Sequence, residues 1–162
     1  KSKAIAGRRY WRVPVMDGEF LVEDQVGVSK GVAGGNIIIQ GATQDATLGA
    51  TRRAVDAASE AAGVVTPFPG GAVRSGSKVG SRYRGLVAST NDAYCPTLRG
   101  RVPSELVDGA FSACEIVING VDESAVASAM RVCAESAAGE GVLAISAGNY
   151  GGRLGKFPIH LP

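Results

Sequence analysis

The chain of 162 residues is long enough to bury one core of ordinary size and short for two, so a single domain is expected. Its 17 basic and 15 acidic side chains leave a net charge of +2, too even a balance for a polyanion-binding surface. No apolar run nears the roughly 18 residues a membrane-crossing helix needs, so neither nucleic acid nor membrane is expected as a partner.

A composition of 45% hydrophobic and 20% charged residues is that of a soluble globular domain. No signal-peptide core follows Lys1-Ser2-Lys3, which points to the cytoplasm. The chain opens on Lys rather than Met, as a processed chain or a piece of a longer gene does. Cys95, Cys114 and Cys133 form an odd set without CxxC spacing, so free thiols are expected, with no disulfide framework and no metal site.

The first predicted element is a β-hairpin over Tyr10 to Glu23, where Asp17-Gly18 separates two alternating runs. Next come a short β-branched run, Asn36-Ile37-Ile38-Ile39-Gln40-Gly41, and a helix from about Gln44 to Ala62. That helix places Leu48, Thr51, Val55, Ala58 and Ala62 on one side, with Arg52, Arg53, Asp56 and Glu60 outward and Gly63 closing it. Gly63-Val64-Val65-Thr66 reads as a second strand, ending in the turn Pro69-Gly70-Gly71.

From about Gly70 to Pro103 runs a stretch rich in Gly, Ser, Arg and Pro, longer than a mere connection requires and suited to carrying function. Within it, Arg74-Ser75-Gly76-Ser77-Lys78-Val79-Gly80-Ser81-Arg82-Tyr83-Arg84 holds four cations, no acid and several hydroxyls. Backbone amides beside Lys and Arg suit a carboxylate or phosphate tail, although a solvated basic loop explains the same letters. Ser89-Thr90-Asn91-Asp92-Ala93-Tyr94-Cys95-Pro96-Thr97 gathers nearly every polar side-chain type; a turn network held by Asn91 and Asp92 is the competing reading. A thiol nucleophile at Cys95 lacks a base, since the single histidine, His160, has no sequence relation to it.

The strand–helix–strand pattern then recurs. Glu115-Ile116-Val117-Ile118-Asn119-Gly120 leads into a helix with Val126, Ala129, Met130, Cys133, Ala134 and Ala137 on one stripe, capped by Asp122 and ended at Gly139 or Gly141. Gly141-Val142-Leu143-Ala144-Ile145 follows, with a turn at Tyr150-Gly151-Gly152. The segment Gly148 to Gly155 is glycine-rich but matches no phosphate-loop pattern, so a tight turn between strands is expected.

Two tandem β-α-β units, neither able to cover its sheet alone, predict an α+β fold. The simplest arrangement is a ferredoxin-like split βαβ sandwich with both helices on one face. The hairpin would be an N-terminal extension over 1–30 and the βαββαβ core would span 31–162, with the long loop inserted between the units.

Glu115 opens its predicted strand between the apolar alternates Ala113 and Val117. A carboxyl withdrawn from water favours its acid form, which can donate a hydrogen bond to a developing oxyanion, as acyl transfer requires. A strand-edge glutamate in water is the competing reading.

Gly31 to Asn36, Pro67-Phe68-Pro69-Gly70-Gly71, Ser77-Lys78-Val79-Gly80-Ser81, Ser89 to Thr97, Glu115 to Gly120 and Ile145 to Gly152 resemble, in order, the proximal lobe of the formylmethanofuran:tetrahydromethanopterin formyltransferases. The resemblance implies formyl transfer between the methanofuran amine and a tetrahydromethanopterin ring nitrogen. It implies carriers that are substrates, with no permanently bound cofactor and no metal. It maps the family's buried carboxyl, close to the formyl oxygen, onto Glu115. It implies that Ser77, Lys78, Ser89, Thr90, Asn91, Asp92, Tyr94 and Asn149 line or support the substrate cleft.

The resemblance further implies a homo-oligomer and, in bacterial relatives, a larger formyltransferase/hydrolase complex. About the N-terminal half of a usual family chain has no counterpart here. A non-catalytic oligomerisation or coenzyme-binding module of the same fold is therefore the alternative expectation.

Overall fold

The computed structural model of the chain describes residues 1–75, 91–148 and 156–161. It divides into two compact units, Lys1–Lys30 and Gly31–Pro162.

The first unit is an antiparallel sheet of three strands, β1 (Ser2–Ile5), β2 (Arg8–Val15) and β3 (Gly18–Glu23), in that order. The predicted hairpin is its β2–β3 half. The strand missed from sequence, β1, reverses into β2 through Ala6 and Gly7, whose φ of 47° and 79° are the left-handed values a two-residue turn needs. Cross-strand pairing puts Trp11 beside Val22 and Val13 beside Phe20, so those four share one face, and all are exposed. The opposite face carries Arg12 and Lys3 against Glu19, and Arg8 against Glu23. The Arg12 guanidinium, by hydrogen bonding, holds the Glu19 carboxyl below its ordinary range.

The second unit runs β4 (Val32–Gly41), α1 (Gln44–Ser59), β5 (Val64–Val65), β6 (Val73–Arg74), β7 (Ser112–Gly120), α2 (Glu123–Ala137) and β8 (Val142–Ser146). Among the described residues it is α+β, with two α-helices and an antiparallel sheet. Across the sheet the order is β8, β4, β7 and then the two short strands, β5 beside Asn119 and Gly120, β6 beside Cys114 and Glu115.

Both strand-to-helix junctions use one device. Gly41-Ala42-Thr43 and Gly120-Val121-Asp122 end a strand and present a capping side chain two residues after the glycine. Thr43 Oγ1 accepts from the Ala46 amide at 3.2 Å and Asp122 Oδ1 from the Ala125 amide at 2.8 Å, satisfying donors that a helix start leaves open. Small residues at these junctions are a steric requirement at Gly41, where a Cβ would lie 2.4 Å from Thr47 Oγ1.

The helices cover one face of the sheet. Ile37 and Ile39 of β4 and Ile116 and Ile118 of β7 pack with Ala50, Ala54 and Ala58 of α1 and with Val126, Ala129, Met130, Cys133 and Ala137 of α2. The α2 stripe is as read from its period; only Ala134 of that set stays half-buried. In α1 the expected stripe is displaced, because Thr47, Ala50, Thr51, Ala54 and Ala58 are buried while Leu48 and Val55 are only half-buried and Ala62 is exposed beyond the helix end. Small side chains let α1 lie close to the sheet and to α2, and the bulky ones splay to its flanks. Among the described residues no helix is long and apolar enough to cross a membrane.

All three cysteines are free and buried. Cys133 Sγ donates to the Ala54 carbonyl at 3.3 Å between the helices, and burial pushes its thiol from an ordinary 9.0 up to about 11. Between those values the unfolded chain releases a proton that the fold retains, so stability falls as pH rises through that window. Between pH 8 and pH 11 urea unfolding is expected to lose about 2 kcal/mol more in the wild type than in Cys133→Ala. Parallel curves for the two proteins would contradict it.

Candidate active site

The sheet face turned away from the helices carries the polar groups. Cross-strand partners share a face, and the register lines up Val73 of β6, Glu115 of β7, Ile38 of β4 and Ser146 of β8 in one row. Glu115 lies in the interior of its strand, not at its opening as expected, because Ser112, Ala113 and Cys114 already pair with Gly41, Gln40 and Ile39. With a strand on each side it is 8% exposed. Its carboxyl is thus shielded from water on the face opposite α1 and α2.

One row along, Asn36 is 5% exposed and its amide nitrogen donates to Glu115 Oε1 at 2.8 Å. The Asn36 carbonyl oxygen accepts from the Gly148 amide at 2.7 Å, where the chain leaves β8. A backbone N–H can only donate, so this second bond fixes which end of the Asn36 amide meets the carboxyl.

The other end of the face is roofed by the segment that precedes β7. Tyr94 packs on Ile38 and Ala113, and Leu106 joins them. Gln40 holds the roof down by accepting from the Val107 amide at 2.8 Å. The Tyr94 hydroxyl donates to Glu105 Oε2 at 2.6 Å. Burial, then the Glu105 hydrogen bond, raise the Tyr94 phenol above its ordinary range, so Tyr94 stays a donor at neutral pH. Among the described residues Ser75 Oγ, Asn91 Nδ2 and Ser146 Oγ are buried without a hydrogen-bond partner.

Of the expected site residues, Glu115 and Tyr94 belong to this face, and Asn91 and Asp92 start the 3-10 turn that carries Tyr94. Ser77, Lys78, Ser89, Thr90 and Asn149 lie outside the described residues. So do Arg82 and Arg84; Arg74 is exposed on β6. Cys95 Sγ sits 3.3 Å from Thr97 Oγ1, and no histidine hydrogen bond reaches it among the described residues. Among the described residues no group of His, Cys, Asp and Glu could hold a metal ion. Sequence reasoning did not single out Asn36, Gln40, Glu105 or Ser146. A groove of about 620 Å³ between the end of α1 and the start of α2 is lined by Ala57, Ala61, Val121, Ala125 and Val132 and lies on the helix side, away from the buried carboxyl.

The family model described as "FTR, proximal lobe" matches residues 18–162. The chain is 52% identical to the formylmethanofuran–tetrahydromethanopterin formyltransferase of Methylococcus capsulatus over 99% of its own length and 55% of that protein. Among solved structures, the formylmethanofuran:tetrahydromethanopterin formyltransferase of Methanosarcina barkeri is similar at a TM-score of 0.72 and 44% identity, covering 97% of this chain and 54% of that one. A formyltransferase/hydrolase complex from Methylorubrum extorquens, solved with methylofuran, contains a chain similar at a TM-score of 0.72 and 51% identity, covering 94% and 51%. The chain spans about half the length of the curated relatives it matches.

Proposed function

The chain belongs to the formylmethanofuran:tetrahydromethanopterin formyltransferase family as a proximal lobe, and from that membership we propose that it supplies the carboxyl half of a formyl-transfer site. The observation that carries the reading is the buried Glu115, tethered by Asn36 on the sheet face opposite α1 and α2.

In such a transfer an amine nitrogen of one carrier attacks the formyl carbon on the other. The formyl oxygen gathers negative charge, and the old C–N bond breaks as the proton of the attacking nitrogen passes to the leaving one. Methanofuran and tetrahydromethanopterin are the carriers, and no permanently bound cofactor takes part. The Glu115 carboxyl shares a proton with the developing oxyanion, an interaction stronger in the transition state than in the ground state. Ser77, Lys78, Ser89, Thr90, Asn91, Asp92, Tyr94 and Asn149 bind the carriers. Tyr94 supports this reading by packing on Ile38, the cross-strand neighbour of Glu115.

The strand order β8-β4-β7-β5, with two helices on one face, supports a ferredoxin-like split βαβ reading of 31–162, with 1–30 as an extension of one proximal lobe. We place the protein in the cytoplasm as a homo-oligomer. The solved complex of a relative with methylofuran supports coenzyme partners and a place in a formyltransferase/hydrolase assembly.

The reading is tested by titrating the purified chain with each carrier, and assaying transfer, with and without the lobe that the longer relatives carry in addition. Carrier binding alone and turnover on adding that lobe are expected. Binding or self-association with no transfer under any reconstitution would make the chain a non-catalytic module.

A further inference from the structure

The geometry points to Asn36 as a positioning residue that sets the orientation of the Glu115 carboxyl; this rests on the role proposed for Glu115 above. Three observations carry it. Asn36 is a neutral polar side chain buried to 5% exposure in a strand whose neighbours are isoleucines, a placement that costs free energy unless both ends of the amide are bonded. Both ends are bonded: Oδ1 accepts from Gly148 N at 2.7 Å and Nδ2 donates to Glu115 Oε1 at 2.8 Å. The amide therefore cannot flip without setting an N–H against the Gly148 N–H and an oxygen against the carboxyl.

The chemical consequence lies in the carboxyl. Oε1 accepts from Asn36 in a hydrogen bond buried at both ends, so the plane of the carboxyl is tied to β4. A donor to an oxyanion acts through its aim, and a misplacement of about 1 Å costs on the order of 10²-fold in rate. Asn36 also joins three strands at this spot: its own β4, Glu115 on β7 and the chain leaving β8 at Gly148.

Asn36→Ala removes the donation to Glu115 without placing a second carboxyl beside it. In a transfer-competent preparation holding both lobes, kcat is expected to fall on the order of 10²-fold while KM for each carrier moves less than about 3-fold, as for a group that acts on the transition state alone. Asn36→Leu, which fills the volume, is expected to show the same split.

The double variant Asn36→Asp with Glu115→Gln separates structure from chemistry. Its introduced glutamine amide can donate to the introduced aspartate, re-forming the buried pair in reverse. Its melting temperature is expected to recover towards wild type, while turnover stays at the level of Glu115→Gln alone.

If Asn36→Ala turns over like wild type while Glu115→Gln is impaired, the positioning role is wrong and the role of Glu115 stands. If Glu115→Gln itself turns over normally, the proposed function of Glu115 falls first. If Asn36→Ala fails to fold, the double variant decides: losses in kcat that multiply beyond those of Glu115→Gln mean that Asn36 is structural only.

Discussion

Glu115→Gln is expected to lower formyl turnover on the order of 10²–10³-fold in a preparation that holds both lobes, with little change in melting temperature. The two side chains have nearly the same shape, and the glutamine carbonyl can still accept from Asn36 Nδ2, so the buried pair survives the exchange. What disappears is a group able to give up a proton to the formyl oxygen; an amide is a weaker donor and exchanges no proton at these pH values. Steady-state kinetics with both carriers, paired with a thermal melt, read the two effects separately. Turnover equal to wild type would remove Glu115 from the chemistry and leave it a buried structural acid.

The largest effect on stability is expected from Ile116→Ala, at about 3–4 kcal/mol. Ile116 has no exposed surface and lies opposite Ile37 in the layer that both helices cover. Truncation removes the transfer energy of three carbons and leaves a void that a sheet pinned on both sides closes poorly. Against a total of roughly 5–15 kcal/mol for a domain, that is a large share. Val65→Ala offers the contrast: Val65 is 63% exposed, so a change within about 0.5 kcal/mol is expected. Urea denaturation measures both, and a cost below about 1 kcal/mol at Ile116 would contradict the packing described here.

Much of this architecture was legible because its signals are local. The α2 stripe could be read from Val126 to Ala137 because Val126, Met130 and Cys133 recur with alanines at the helical period and Asp122 announces the cap. The α1 face could not, since its contact surface is Thr47, Ala50, Thr51, Ala54 and Ala58, and the bulkier Leu48 and Val55 draw the eye to the wrong side. β1 went unseen because Ala6-Gly7 turns without the Asn-Gly or Asp-Gly pair that signals such geometry.

At the site, Glu115 stood out as an acid in an apolar strand. Its depth did not, because Ser112 to Cys114 lack β-branched residues and hide three positions of the strand before it. Asn36 and Gln40 look like the polar ends of an isoleucine run. Only partners far off in sequence, Glu115 and Gly148 for one and Val107 for the other, reveal them as buried contacts.

The sheet order has a consequence for how this core assembles. β5, which closes the first β-α-β unit, lies against β7 of the second, and β8, which closes the second, lies against β4 of the first. Each half thus holds a strand that only the other half can satisfy. Neither is a folding module in its own right, and cleaving the connection between them would yield two fragments that must find each other to become ordered, with unfolding lost and regained as one cooperative event.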